Sequence, residues 1–192
     1  NGLHRTARPM DKSFDDGEKV DHWYNLSALD VMTDKSTPVV AVLGNSITDG
    51  RGSTTNMQNR WTDFLSDELN AERPYGVLNL GIGGNCVVEG GLSEPAMKRF
   101  DRDILGQAGV DKLIIFEGTN DIGCSKKNYE HVADTLIACY KVLIGKAKER
   151  GIKVYGATIT PTKGNGWYSY WHEAIRQTVN EWIRTSNNFD EI

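Results

Sequence analysis

From residue 39 onward the apolar and polar positions fall into alternating blocks. Val39-Val40-Ala41-Val42-Leu43 is a short unbroken apolar run closed by a glycine, and the polar loop after it leads into a helically spaced stretch over 61–70. The unit recurs. Runs at 77–80, 112–116 and 153–159 read as strands, and the stretches 93–102, 129–150 and 173–185 read as the helices that follow them. In the longest, Val132, Leu136, Cys139, Tyr140, Leu143 and Ala147 recur three and four residues apart, and Gly151 supplies the stop. Strands that are apolar throughout are buried on both faces. Four such units therefore predict an α/β fold: a doubly wound, flavodoxin-like parallel sheet between two helical layers. The last residues, Asn187 to Ile192, read as the opening of a further strand, which makes about five.

Residues 1–37 are polar and irregular, apart from an aromatic patch at His22-Trp23-Tyr24 followed by Leu26, Leu29 and Val31. They are expected to be an approach segment or the tail of a preceding module, leaving 38–192 as the main domain. The sequon Asn25-Leu26-Ser27 has meaning only in an exported, glycosylated protein.

Composition narrows the function. With 192 residues, 39% hydrophobic and 25% charged, the chain has material for one sizeable core. A net charge of −4 with scattered cations gives no basic stripe, so nucleic acid is not expected as a partner. The three cysteines, Cys86, Cys124 and Cys139, form no C-x-x-C pair and read as buried thiols; no metal or other cofactor is expected. No apolar run is long enough to span a membrane.

In a sheet of this kind ligands bind beyond the carboxyl ends of the strands. The first loop there is Gly44-Asn45-Ser46-Ile47-Thr48-Asp49-Gly50, which sets a serine at a tight turn where its hydroxyl and N–H can share a pocket. Thr48 breaks the G-x-S-x-G pattern of a nucleophile elbow, and no Gly-Lys-Ser/Thr follows as in a P-loop. The second loop, Asn79-Leu80-Gly81-Ile82-Gly83-Gly84-Asn85, offers unobstructed main-chain N–H groups. The third, Glu117-Gly118-Thr119-Asn120-Asp121, brings a carboxamide that can donate to developing negative charge. Singly, Ser46 is also a turn cap, Gly84 a relief of crowding and Asn120 a loop closure. In order, at three successive strand ends, they point to an enzyme.

These three blocks resemble the SGNH (GDSL) hydrolase family over residues 39–192, and the resemblance is to bacterial members in which a β-rich module precedes the hydrolase. It implies an esterase or acylhydrolase with Ser46 as nucleophile, the N–H groups of Ser46 and Gly84 and the Asn120 side chain as oxyanion hole, and an acyl-serine intermediate. It further implies a small ester or acylated-carbohydrate substrate and export to the periplasm or exterior. Asn45 stands where most of the family carries aspartate. The family's fourth residue, a histidine in a D-x-x-H segment near the C-terminus, has no counterpart. Of the four histidines, His4 and His22 lie in the approach segment, His131 opens a helix, and only His172 follows a carboxyl-end loop. The domain is thus expected to be incomplete at its C-terminus and impaired alone, with an exposed sheet edge that a dimer or a retained C-terminal fragment would cover. Two other readings are a flavodoxin-like phosphate or nucleotide binder using Gly81 to Gly84, and a catalytically dead glycan-binding relative.

Overall fold

The computed structural model describes residues 2–3, 18–19, 28–126 and 129–192. The chain divides into two units, Asn1–Met32 and Thr33–Ile192. In the first, β1 (Gly2–Leu3) pairs antiparallel with β2 (Glu18–Lys19). The aromatic patch at 22–24, the sequon, His4 and His22 lie outside the described residues.

The second unit runs β3 (Val39–Gly44), α1 (Ser46–Asp49), α2 (Trp61–Glu72), β4 (Gly76–Gly81), α3 (Ala96–Phe100), β5 (Val110–Phe116), α4 (Thr119–Cys124), α5 (Tyr129–Glu149), β6 (Lys153–Gly156) and α6 (Tyr170–Thr185). All four strands are parallel, in the order β4-β3-β5-β6. A single parallel bridge, Tyr155 to Glu191, marks a fifth position beside β6. There Asp190 N donates to Val154 O (2.8 Å) and Gly156 N to Glu191 O (3.0 Å). The expected doubly wound parallel sheet is therefore present.

The apolar run that predicts β3 is buried from Val40 to Leu43, because neighbouring strands and helical layers cover it on every side. Ala41, Leu43, Leu113 and Ile115 join Phe100 of α3, Leu136, Tyr140 and Leu143 of α5, and Ile175 and Val179 of α6 in one core. On α5 the predicted stripe is the buried one at Leu136, Tyr140, Leu143 and Ala147. On the α2 side, Trp61 meets Phe116 edge to face at 6.1 Å.

Five expectations need correction. The second helix starts at Ala96 rather than 93, because Glu94 precedes a proline and Pro95 itself caps the helix; it then runs past 102 as a π-helical turn to Leu105. β6 stops at Gly156, beyond which α6 side chains replace the ladder: Ile159 N donates to Asn180 Oδ1 (2.7 Å), and Ile159 O accepts from Asn180 Nδ2 and Arg176 Nη1 (both 2.9 Å). The last helix begins at Tyr170, where the Ser169 hydroxyl accepts from His172 N (3.1 Å). β4 is half-buried along its whole length, since it is the sheet's edge. Of the cysteines, Cys86 is buried, Cys139 half-buried and Cys124 exposed.

Candidate active site

Gly44 is in register with both Gly81 and Phe116, so the loops after β3, β4 and β5 leave the sheet at one level. Ser46 opens α1 and is half-buried. The turn beneath it is tight enough to demand glycine. A Cβ on Gly44 would run into Thr48, and one on Gly81 into the main chain of Thr48 and Asp49. Gly84 sits at φ +68°, with Leu92 Cγ 2.7 Å from where a Cβ would stand. Asn120 is the second residue of α4, which Gly118 enters at φ +98°. Outside the helix and strand ladders, neither Ser46 N nor Gly84 N donates to a main-chain carbonyl among the described residues.

Direct bonds tie the blocks together. Asn120 Nδ2 donates to Asn85 O at 2.7 Å, which joins the third loop to the second and leaves the other N–H of the carboxamide free. Ile82 N donates to Gly44 O (3.0 Å), joining the second loop to the first. Asn45 uses both ends of its amide: Oδ1 accepts from Ile47 N (3.1 Å) and Nδ2 donates to Glu117 Oε2 (3.1 Å), joining the first loop to the third. The three candidate residues thus lie on linked loops at the carboxyl end of the sheet, Asn120 by direct contact with Asn85 and Ser46 through its neighbours.

Four supporting residues went unmarked in the sequence reading. Asn79 donates to Thr48 O (2.7 Å) and Thr62 Oγ1 (2.9 Å), holding the serine loop to β4 and α2. Asp121 accepts from Val87 N (2.9 Å) and Val88 N (3.0 Å). Arg99 and Glu117 are buried side chains behind the loops. Burial drives the Glu117 carboxyl up to about 8, with Asp121 adding to the shift; the Asn45 amide, Arg99 and the Gly118 N–H oppose it but do not offset it. Burial likewise raises Asp121.

Neither described histidine is hydrogen-bonded to Ser46. His172 is buried, with Nδ1 2.6 Å from Trp167 O and Nε2 3.1 Å from Ser125 O, so both ring nitrogens are engaged. His131 is exposed beside Glu130. A cavity of about 290 Å³ is lined by residues of the 86–89 loop, α4 and α5, among them Cys86, Asp121, Cys124 and His131. Among the described residues no cluster of three metal-ligating side chains occurs, and no helix is long and apolar enough to cross a membrane.

A model of the GDSL-like lipase/acylhydrolase family matches residues 42–192. The chain belongs to this family. Solved structures with which this GDSL-like hydrolase shares its fold include a protein described as lipolytic and of the G-D-S-L family from Desulfitobacterium hafniense DCB-2. That likeness has a TM-score of 0.61 at 23% identity and covers 81% of this chain and 76% of the other. Another is AlinE4, an SGNH-hydrolase family esterase, with TM-score 0.63, 12% identity, and 84% and 77% coverage. A third is a catalytic mutant of Axe2, an acetylxylan esterase from Geobacillus stearothermophilus, with TM-score 0.59, 20% identity, and 82% and 75% coverage. No curated protein matches the chain.

Proposed function

We propose that this GDSL-like hydrolase carries the nucleophile and oxyanion hole of a serine esterase. The observation that carries this reading is the bond from Asn120 Nδ2 to Asn85 O. It ties one N–H of the carboxamide to the residue after Gly84 and leaves the other available as an oxyanion donor, which supports this reading. Ser46 Oγ attacks the ester carbonyl and forms a C–O bond while its proton passes to a base. The carbonyl electrons move to oxygen, where the N–H groups of Ser46 and Gly84 and the Asn120 amide stabilise them. Collapse expels the alcohol with that proton, and water then hydrolyses the acyl-serine. Among the described residues no histidine is hydrogen-bonded to Ser46; the family resemblance implies a histidine as the base.

The second loop is poorly furnished as a phosphate cradle. Gly81 N donates to Asn79 Oδ1 (3.0 Å), Ile82 N to Gly44 O and Asn85 N to Ile82 O (3.2 Å), so its donors are mostly spent internally. For substrate, an acylated carbohydrate is supported by the fold shared with an acetylxylan esterase and by Tyr168, Tyr170 and Trp171 at the start of α6, of which Tyr170 and Trp171 are exposed.

In the full-length protein a fluorophosphonate should label Ser46, and Ser46→Ala should abolish both labelling and turnover of p-nitrophenyl acetate. Asn120→Ala should lower turnover roughly a hundredfold or more. Labelling at another serine, or an Asn120→Ala loss below about threefold, defeats the assignment.

A further inference from the structure

Behind the loops, Arg99 of α3 is wholly buried and all five of its N–H groups are engaged. Nε and Nη2 donate to Asn85 Oδ1 (3.0 and 2.8 Å), and Nη2 also donates to Gly44 O (3.2 Å). Nη1 donates to Leu80 O (3.0 Å) and Asp103 Oδ2 (3.2 Å). Glu117 Oε1 lies 3.8 Å from Nη2 and accepts no hydrogen bond. A single guanidinium therefore touches the end of β3 just before Ser46, the end of β4, the residue whose carbonyl holds Asn120, and the acid three residues before Asn120.

We infer that Arg99 is a positioning residue for the oxyanion hole, fixing through Asn85 the main-chain oxygen to which Asn120 is anchored and through Gly44 the turn that presents Ser46. This rests on the proposed roles of Ser46, Gly84 and Asn120. A solvated arginine anywhere else would add net charge; this one adds geometry. The Asn85 side chain is held from both sides, its Oδ1 by Arg99 and its Nδ2 by Ser93 Oγ (3.0 Å) and Glu94 O (2.8 Å), so the Asn85 carbonyl has little freedom. Lysine keeps the charge but gathers its donors at one atom and cannot span two carbonyls and an amide.

The test measures kcat and KM separately in the full-length protein for Arg99→Lys and for the paired apolar variant Arg99→Met with Glu117→Leu. Melting curves of both variants, read beside kcat, separate positioning from folding, and the paired variant also removes the Glu117 oxygen that has no hydrogen-bond partner. Both variants should lose about tenfold or more in kcat with KM within about threefold, because a small misplacement acts on the transition state. Arg99→Lys placed on Asn120→Ala should cost clearly less than it costs alone, since one of the two groups it positions is gone and only the Gly44 turn remains to be disturbed.

A folded variant that turns over within about twofold of wild type overturns the inference. So does an Arg99→Lys loss of equal size with and without Asn120. If neither variant folds, Arg99 is a folding residue and the inference falls as well. Ser46→Ala serves as the control. Surviving turnover there overturns the site assignment itself, whereas an inactive Ser46→Ala beside active Arg99 variants overturns this inference alone.

Discussion

At Asn45 the identity of one residue follows from its neighbour. Aspartate, which the family resemblance implies here, lacks the amide N–H that donates to Glu117 and would set a second carboxyl group at 3.1 Å from the first. Two acids so placed cannot both ionise and would titrate as a pair. Asn45→Asp should therefore lower the melting temperature at pH 8 by several degrees, given about 2–4 °C per kcal/mol at this size, and by much less at pH 5, where the pair holds a proton. Melting curves across that range check it; a shift equal at both pH values would show that the two groups do not interact. Ser46, Gly84 and Asn120 were legible because their chemistry is local: glycine turns and small polar side chains at strand ends. Arg99 was not, since Lys98, Asp101, Arg102 and Asp103 around it read as a solvated face. The signal was present nonetheless. Ala96, Phe100 and Ile104 recur four apart, and Arg99 falls on that buried stripe. Glu117 likewise continues the period-two series of Leu113 and Ile115 onto the buried side of β5.

Helix α4 is an element whose placement depends on one side chain. The Asp121 carboxylate receives the Val87 and Val88 N–H groups and so clamps α4 to the chain just after the glycine loop. Asp121→Ala leaves two largely buried donors unpaired, at about 1–3 kcal/mol each, and should lower the urea midpoint accordingly. Asp121→Asn, which keeps an acceptor, should fall between. A midpoint unchanged in the alanine variant would rule out the clamp. At this scale the four strands and the three long helices α2, α5 and α6 were readable from their periods, and α3 because its stripe continues into the π-helical turn to Leu105. The one-turn helix α1 and the short α4 were not, since four to six residues display no periodicity. The end of β6 was missed for another reason: Ile159 is apolar and buried as a strand residue would be, but its hydrogen bonds go to α6.

For the molecule as a whole, Glu117 links stability to pH. Its carboxyl titrates at about 8 in the fold against an ordinary 4.5. Below 4.5 both folded and unfolded chains hold the proton. Between 4.5 and about 8 only the folded chain does, so its contribution declines as pH rises through that window and levels off above it. Glu117→Gln should flatten this slope, making the variant relatively more stable at pH 8 than at pH 5; parallel curves for the two proteins would exclude Glu117 as the linked group.

The parallel topology also has a kinetic consequence. Asn45 and Glu117 are 72 residues apart in the chain, and Asn120 and Asn85 are 35 apart. No local segment can therefore preassemble the serine pocket, which comes into being only when the central strand has found both neighbours. Pairings of such sequence separation are slow to form. During refolding, reactivity of Ser46 toward a phosphonate should recover with the last and slowest phase, after helical ellipticity has returned, and so serve as a clock for closure of the sheet.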